Sequence, residues 1–314
     1  MITVVTLADA SRAERVRLQH RALTAVCPDA LHAVVTLGDE DLSVPGVHSI
    51  GRVGAAAGKD RPHLAAARNL AGDWAAERAA ERGAERGAER AAQHSDTGGD
   101  VIIFLDADCL PSAELVELYA HRLRAHPDWV VAGPVTYLPA DRTRTLFDRA
   151  AADSSAAALT IDPSWIHPHP ARPFPATGDV RTATGDDANL FWSLSFATTS
   201  ATWRSIRARW GGFDESFVGY GGEDTDFGWQ LRAHEDPLVW VGGAHAFHLW
   251  HPVSSPPWEH LAEIVDNANR FYAKWGTWPM EGWLREFANA GAIVMEGGHW
   301  VVTGRIADRP EQPI

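Results

Sequence analysis

Apolar runs alternate with helical apolar spacing at the start of the chain. Residues 2–7 (ITVVTL) and 32–37 (HAVVTL) are short runs rich in β-branched side chains, which favour strands. Between them, apolar residues recur at helical spacing at Val16, Leu23 and Val26. This opening therefore predicts a strand, a helix and a second strand.

A second helical pattern starts near Pro62 and leads through a polar tract to residues 101–105 (VIIFL). A continuous apolar run of this length is typical of a parallel strand buried on both faces. Because strands and helices alternate, the first third predicts a doubly wound α/β arrangement. The fold class expected for the chain is α/β, with a mixed, mainly parallel sheet flanked by helices.

The polar tract AAERAAERGAERGAERAAQH (75–94) is a near-repeat of four residues whose apolar members are only Ala and Gly. Arg and Glu stand at i,i+3 spacing within it. The tract shows no side chain large enough to bury, so residues 75–98 are interpreted as a solvated helix extension or a mobile insertion. We expect this region to tolerate deletion best.

Residues 140–187 have a different character. They include IDPSWIHPHPARPFPATGD, whose prolines block both helices and central strands. The pattern predicts a long, ordered or lid-like loop. Of the 14 Trp residues only Trp74 and Trp129 precede it, so the second half is aromatic-rich, as a carbohydrate-stacking surface would be. For any single Trp, an ordinary core position is the favoured interpretation.

Composition narrows the function classes. The 314 residues are long enough for one large α/β domain or two smaller ones, and 28 basic against 41 acidic residues give a net charge of −13. That charge argues against a nucleic-acid partner. Cys27 and Cys109 are too few for a disulfide framework, and no stretch predicts a transmembrane segment. The expected location is the cytoplasm, at the membrane periphery if the substrate is lipid-linked.

Two aspartates directly follow the run at 101–105. Asp106 and Asp108 stand at the carboxyl end of a predicted central strand, where open α/β sheets bind ligands. Their hard oxygens suit Mg²⁺ or Mn²⁺ bridging a diphosphate. An Asp-x-Asp triplet alone is a weak indication of a metal site, but its position directly after an apolar strand makes the indication more specific.

A second acidic cluster, Glu223, Asp224 and Asp226, follows the glycine-rich residues 218–222 (VGYGG). One interpretation is a helix start, because the helix dipole stabilises acidic residues in the first turn. The other is a functional site, because glycines let the backbone approach a ligand and crowded like charges are not chosen for stability.

Three motifs in order, FLDADCLP (104–111), GGFDESFVGYGGEDTDFGWQLR (211–232) and AFHLWHP (246–252), resemble nucleotide-sugar glycosyltransferases of the GT-A fold. The likeness is to glycosyltransferase family 2 and to a galactosyltransferase-type C-terminal segment. It covers roughly residues 1–255 and implies a GT-A, Rossmann-like domain with an aromatic-rich acceptor side. Residues 256–314 are expected to form a helical extension.

For a metal, the resemblance implies that Asp106 faces the nucleotide ribose and the ion, while Asp108 binds Mn²⁺ or Mg²⁺ directly. His248 stands at the family's later metal-ligand position. His245 and His251 lie close by in the sequence, and at least one of the three histidines is expected to bind the ion. His248 is chosen on motif position.

For catalysis, the resemblance implies that Asp224 is the base and that Glu223 hydrogen-bonds the acceptor. Related retaining enzymes have an amide in place of this acid, so Asp224 favours inversion. Asp226 is expected to cap or brace the following helix. The sequence departs from the galactosyltransferase pattern at Tyr220, where Trp is common, and at Thr225, where a further Asp occurs.

On the donor side, the resemblance implies that Arg68 offsets phosphate charge and that Asn69 belongs to the segment touching the nucleotide and diphosphate. Asp39 matches the position that reads the base. Thr6 and Arg12 are weaker members of this set, and a surface salt bridge explains Arg12 equally well.

Together these features predict a metal-dependent, inverting hexosyltransferase. Its donor is a nucleotide diphosphate sugar, with a UDP-sugar expected first, and its acceptor is a hydroxyl of a glycan, a glycolipid or a small molecule. One alternative is a sugar-1-phosphate nucleotidyltransferase, which would want a glycine-rich basic loop that residues 6–15 (TLADASRAER) lack. The other is a non-catalytic carbohydrate- or nucleotide-sugar-binding protein of the same fold.

Overall fold

The apolar runs and helical patterns fold as strands and helices in the predicted order. The computed structural model describes residues 1–55, 62–90 and 99–304. In these ranges the strands are β1 Ile2–Ala8, β2 Leu31–Leu37, β3 His48–Val53, β4 Val101–Leu105, β5 Cys109–Pro111, β6 Val130–Ala132, β7 Val135–Tyr137, β8 Val180–Thr182, β9 Ser195–Thr199, β10 Leu238–Val241, β11 Ala246–His248, β12 Ile293–Glu296 and β13 His299–Val302. The α-helices are α1 Ala13–Val26, α2 Leu64–Arg90, α3 Leu115–Ala125, α4 Ala140–Ala152, α5 Ser200–Trp210, α6 Glu223–Ala233, α7 Leu261–Trp275 and α8 Glu281–Asn289.

The large sheet has the strand order β3-β2-β1-β4-β9-β6-β10-β8 within the described residues. Strand β9 runs antiparallel to both of its neighbours, and β8 runs antiparallel to β10 at one edge, whereas the remaining pairs are parallel. The predicted α/β class with a mixed, mainly parallel sheet flanked by helices is confirmed. It is the arrangement that the GT-A resemblance implied.

Strand β4 is buried on both faces because helices cover each side of the sheet. Ile102 and Phe104 point into one core with Trp203 of α5, and the Phe104 and Phe196 rings stack with their centroids 4.3 Å apart. Ile103, between them in the sequence, points into the opposite core together with residues of α3. The continuous apolar run thus reflects two buried faces rather than one.

A small three-stranded sheet, β5-β11-β7, lies beyond the carboxyl end of β4. In it, His248 of β11 pairs with Cys109 on one side and with Tyr137 on the other. This register joins the segment after Asp108 to the histidine motif. Backbone pairing therefore brings two motifs together that are far apart in the sequence.

The predicted insertion at 75–98 is partly wrong. Helix α2 runs without a break through residues 64–90, and Ala75, Ala76 and Ala79 are buried. Small side chains are what this contact needs, because a Cβ at Gly72 would lie 2.2 Å from the Trp203 ring of α5. From Ala80 to residue 84 the side chains are exposed or half-buried, as expected of a solvated helix, and residues 91–98 lie outside the described residues.

The predicted loop at 140–187 also needs correction, because it begins with helix α4. Residues 140–152 contain neither Pro nor Gly, and Thr143 and Leu146 form a buried stripe. The prolines start at Pro163, and from there the chain makes short 3₁₀ turns and the edge strand β8. The proline argument therefore holds only for the second part of the range.

In the described part of residues 256–314, helices α7 and α8 are followed by a hairpin of β12 and β13, which the expectation of a helical extension did not include. Among the helices of the described residues, none combines the length and the apolar character that a membrane span requires. Both cysteines are free, Cys109 buried and Cys27 partly buried.

Candidate active site

The Asp106–Asp108 turn is fixed from behind by a buried glutamine. The backbone N–H of Asp106 donates to Leu194 O at 2.9 Å, and Cys109 N–H donates to Asp106 O at 2.8 Å. Gln19 Nε2 donates to the carbonyls of Asp106 and Cys109 at 2.7 and 2.8 Å. Since Gln19 is fully buried, these bonds hold the turn in one shape. The sequence analysis did not identify Gln19, because it belongs to no motif and looks like an ordinary polar residue of α1.

Asp108, His248 and His251 form a potential metal-binding set. One ligand atom from each of the three lies within 4.8 Å of the others. Burial lowers the pKa of His248 to about 4, so its imidazole is neutral at neutral pH, which is the form that binds metals. His245 lies elsewhere, buried with its Nε2 2.8 Å from Thr136 Oγ1. The structure thus places His248 with Asp108 and adds His251.

Two arginines of the segment after β1 lie beside the same carboxylate. Arg12 Nε donates to Asp108 Oδ2 at 3.2 Å, and Arg15 Nη1 forms an ion pair with Oδ1 at 2.9 Å. Arg12 also pairs with Asp9 at 3.1 Å. Positive charge next to a candidate metal ligand suits an anionic ligand such as a diphosphate. The structure therefore brings Arg12 to the cleft, although Asp9 and Asp108 share its charge.

Arg68 connects the two acidic motifs. Its Nη1 donates to Glu223 Oε1 at 2.9 Å, and its Nη2 lies 3.5 Å from Asp106 Oδ1. The residue is only 5% exposed, so its charge acts mainly on these carboxylates. In this structure Arg68 faces protein acids, and its predicted phosphate contact stays a prediction.

Asp224 carries a perturbed carboxyl group. Burial, followed by the charge of Glu223, raises its pKa to about 7, although Arg68 acts in the opposite direction. Its Oδ1 accepts a hydrogen bond from Thr225 N–H at 2.7 Å. A carboxyl group with a pKa near 7 is suited to take up and release protons at neutral pH.

Glu223 differs from its neighbour in both pairing and exposure. It is 5% exposed, and one of its oxygens is bound by Arg68. Within the described residues, its other oxygen, Oε2, has no hydrogen-bond partner. A buried carboxylate oxygen without a partner is costly unless a ligand supplies a donor.

Two positions of the glycine-rich loop before these acids have a backbone conformation that favours glycine. Gly219 and Gly222 have φ angles of +82° and +95°, in the left-handed region. A Cβ at Gly219 would also lie 2.7 Å from Glu263 Cγ of α7. The loop is therefore shaped by its close approach to the C-terminal helix.

Asn267 of α7 clamps this loop. Its Nδ2 donates to the carbonyls of Val218, Tyr220 and Gly221 at 3.1, 3.3 and 2.8 Å. Glu263 of the same helix accepts a hydrogen bond from Tyr220 N–H at 2.7 Å. The extension beyond residue 255 thus holds the segment that carries Glu223 and Asp224, a role that sequence reasoning did not assign.

Asp226 has the structural role that was expected. Helix α6 begins at Glu223, so the helix-start interpretation of the cluster is also correct. Asp226 is fully buried, and it accepts hydrogen bonds from Lys274 Nζ at 2.9 Å and from Trp275 Nε1 at 2.7 Å. It braces α6 against α7.

Three predicted donor-side residues have other surroundings. Thr6 is buried, with its hydroxyl 2.8 Å from Gln19 Oε1 and 2.9 Å from Leu105 O. Asn69 is buried and exchanges hydrogen bonds of 2.8 and 2.9 Å with the backbone of Phe213. Asp39 is exposed just after β2. The structure therefore brings neither the Thr6 nor the Asn69 side chain into the cleft.

Comparisons with known proteins identify the family of the chain. Residues 73–235 match the family described as "Glycosyltransferase like family 2". Two proteins named validoxylamine A glucosyltransferase, from Streptomyces hygroscopicus subsp. jinggangensis and subsp. limoneus, are each 45% identical over 84 residues, or 27% of this chain. That segment spans only 18% and 17% of the two relatives. A crystal structure of S. aureus TarS superposes with a TM-score of 0.47 at 10% identity, covering 92% of this chain and 43% of that one.

Proposed function

The chain belongs to the glycosyltransferase-like family 2, whose pattern matches residues 73–235. From this membership and the geometry of the site, we propose that the protein is a metal-dependent, inverting glycosyltransferase. The donor is a nucleotide diphosphate sugar, and the acceptor is a hydroxyl group. One observation carries the proposal: Arg68 joins Asp106 and Glu223, so the two acidic motifs share one cleft. A site for a diphosphate and a site for a proton acceptor are the two parts that such a transfer needs.

Asp224 acts as the general base. Glu223 is paired with Arg68, whereas Asp224 has a pKa near 7 and no cation of its own at hydrogen-bond distance within the described residues. Asp224 therefore takes the proton from the acceptor hydroxyl as that oxygen attacks the anomeric carbon. Glu223 Oε2 accepts a hydrogen bond from the acceptor and thereby orients it.

Asp108, His248 and His251 hold a divalent ion, Mn²⁺ or Mg²⁺. Their mixed carboxylate and imidazole donor set fits Mn²⁺ well and Mg²⁺ less well, because Mg²⁺ prefers oxygen ligands. When bound, such an ion neutralises the charge that develops on the departing diphosphate. Arg12 and Arg15 add positive charge on the same side of the cleft.

We infer inversion from the acid at Asp224, where related retaining enzymes have an amide. In an inverting transfer the acceptor oxygen attacks from the face opposite the diphosphate, and the anomeric configuration is reversed. No second carboxylate is needed as a nucleophile. The match ends at residue 235, so the likeness of the His248 segment to galactosyltransferases stays a prediction.

The relatives suggest where to look for the sugar. They are named for glucosyl transfer to validoxylamine A, and they share one segment with this chain. We therefore take a UDP-hexose, first UDP-glucose, as the donor to test, with polyhydroxylated small molecules as the acceptors to test first.

The experiment is a panel of nucleotide sugars incubated with Mn²⁺ and a mixture of acceptors. We expect acceptor-dependent release of nucleoside diphosphate by the wild type and little release by Asp224→Asn. Binding without release from any donor would contradict the proposal and favour a binding protein. Formation of a nucleotide sugar from a sugar 1-phosphate and a nucleoside triphosphate would favour a nucleotidyltransferase.

A further inference from the structure

A row of rings runs alongside the Asp106–Asp108 turn. The ring centroid of Tyr137 lies 4.7 Å from that of His248 and 5.8 Å from that of His169. The His169 ring in turn lies 4.9 Å from the Trp192 ring, edge to face. The row therefore starts at a candidate metal ligand and continues into the proline-rich segment.

Both ends of this row lie against the acidic turn. At one end, His248 is grouped with Asp108. At the other, Trp192 comes two residues before Leu194, whose carbonyl accepts the N–H of Asp106 at 2.9 Å. Trp192 is partly buried against the core, whereas Tyr137 is exposed, so the row, which we call the aromatic wall, runs from the edge of the core to the surface beside the turn.

Tyr137 presents an exposed ring beside the candidate metal ligand His248. The residue is 47% exposed, and its ring centroid lies 4.7 Å from that of His248. Backbone pairing of Tyr137 with His248 fixes its position in the small sheet. The ring is therefore open to a ligand that lies beside the turn.

The wall is held rigidly. Arg172 is buried and donates to the carbonyls of Trp192 and Ser195 at 3.0 and 3.3 Å. Its guanidinium lies 5.6 Å from the centroid of the Trp192 ring. His169 N–H donates to Val135 O at 2.8 Å. Because these side chains are already fixed, they lose little conformational entropy when a ligand binds.

The wall lies on the side of β4 away from the expected nucleotide site. Trp192 leads into β9, which neighbours β4 on one side, whereas β1 and β2 lie on the other. Asp39 and Arg12, two of the residues expected to contact the donor nucleotide, follow β2 and β1. The rings are therefore available to a ligand other than the nucleotide.

We propose that the exposed ring of Tyr137, supported edge-on by His169 and through it by Trp192, is a stacking platform for a polyhydroxylated six-membered ring of the acceptor. Such a ring has an apolar C–H face that packs on aromatic side chains, while its hydroxyls need polar partners. Glu223 Oε2, buried and without a partner in the described residues, supplies one. This inference rests on the proposed transfer and names the acceptor class.

The test compares Tyr137→Ala, which removes the ring, with Tyr137→Phe, which keeps it. The probes are methyl β-D-glucopyranoside, methyl α-D-mannopyranoside and myo-inositol, observed by saturation-transfer NMR. We expect saturation of C–H protons of at least one probe in the wild type and in Tyr137→Phe, and its loss in Tyr137→Ala. In transfer assays, Tyr137→Ala should raise the acceptor KM roughly tenfold, as expected for the loss of one stacking contact, with the donor KM unchanged.

Several outcomes would overturn the platform. They are equal saturation in Tyr137→Ala, no saturation of any probe in the wild type, and a rise in the donor KM instead of the acceptor KM. Failure of the proposed function looks different, because the wild type would then bind the ring probe without releasing nucleoside diphosphate from any donor. A melting temperature close to that of the wild type is expected for Tyr137→Ala, since the ring is half exposed.

Discussion

The two acidic motifs of the cleft are held by different kinds of structure. Asp106 and Asp108 follow directly from a buried strand of the main sheet, and Gln19 of the first helix fixes their turn. Glu223 and Asp224 instead follow a glycine loop that Asn267 clamps from the C-terminal helix α7. The first motif depends on the core, and the second depends on an extension beyond the family match.

This difference separates two tasks. We call Asp108, His248 and His251 the metal half, and Glu223 and Asp224 the base half. The metal half gathers carboxylate and imidazole side chains beside two arginines, an arrangement that supports the proposed binding of a metal ion and a diphosphate. The base half provides one carboxyl group with a pKa near 7. Changes in the metal half should therefore weaken donor binding, and changes in the base half should slow the chemical step.

The largest effect is expected from Asp224→Asn. An amide keeps the size of the side chain but cannot accept the acceptor's proton, so turnover should fall by about 10²–10⁴ at saturating substrates. The fold should survive, because Asp224 is not part of the α6–α7 brace. Turnover close to the wild-type value would refute the base assignment and leave Glu223 as the next candidate.

The metal half is probed by removing its histidines one at a time. His248→Ala and His251→Ala should each weaken Mn²⁺ binding at least about tenfold, measured by electron paramagnetic resonance of the free ion. His245→Ala is the matched control, because this histidine of the same segment bonds Thr136 instead. If only the control variant loses Mn²⁺ binding, the ligand set is wrong.

Asn267→Ala tests whether the extension acts on the base half. Three carbonyls of the glycine loop lose their donor, and the free energy of unfolding should fall by about 1–3 kcal/mol. We expect turnover to fall roughly tenfold, as the loop loses its fixed shape, while nucleoside diphosphate affinity stays unchanged.

Asn269→Ala provides the control for that clamp. Asn269 lies on the same helix but exchanges hydrogen bonds of 2.8 Å with Trp300 of the terminal hairpin. The Asn269→Ala variant should lower the free energy of unfolding but leave turnover close to the wild-type value. Equal turnover losses in the two variants would mean that α7 supports the fold in general and not the base half.

The pH dependence gives a smaller and more specific effect. Asp224 must be unprotonated to act, so turnover should rise with pH through about 7 and then level off. The stability of the fold changes with pH in the opposite direction. The folded state holds the Asp224 proton more tightly than the unfolded state does, so the free energy of unfolding falls as pH rises from the usual Asp pKa towards 7. Asp224→Asn should lack this fall. A pH–rate profile that is flat between pH 6 and about 8 would contradict the role of Asp224.

Sequence patterns predicted the parts of the site that are local. A buried strand followed by Asp106 and Asp108, and a glycine loop followed by Glu223 and Asp224, are readable because each lies in one short stretch. His248 was chosen from the motif order, whereas the proximity of His251, one of the three candidate histidines, to Asp108 is visible only in the folded structure. The fold class followed from the alternation of strands and helices.

The rest depends on contacts between distant segments. Gln19 and Asn267 look like ordinary polar helix residues until the backbone carbonyls they bind are known. The buried alanines of α2 were missed because apolar patterns are recognised by large side chains, whereas Ala75 and Ala76 let two helices approach closely. Thr6 was placed in the cleft by resemblance, but its hydroxyl bonds buried groups.

The division into two halves is tested most directly by calorimetric titration of UDP, with and without Mn²⁺, into the wild type, Asp108→Asn and Asp224→Asn. We predict binding that requires Mn²⁺ in the wild type, its loss in Asp108→Asn, and wild-type affinity in Asp224→Asn. Equal loss in both variants, or Mn²⁺-independent binding throughout, would contradict the account.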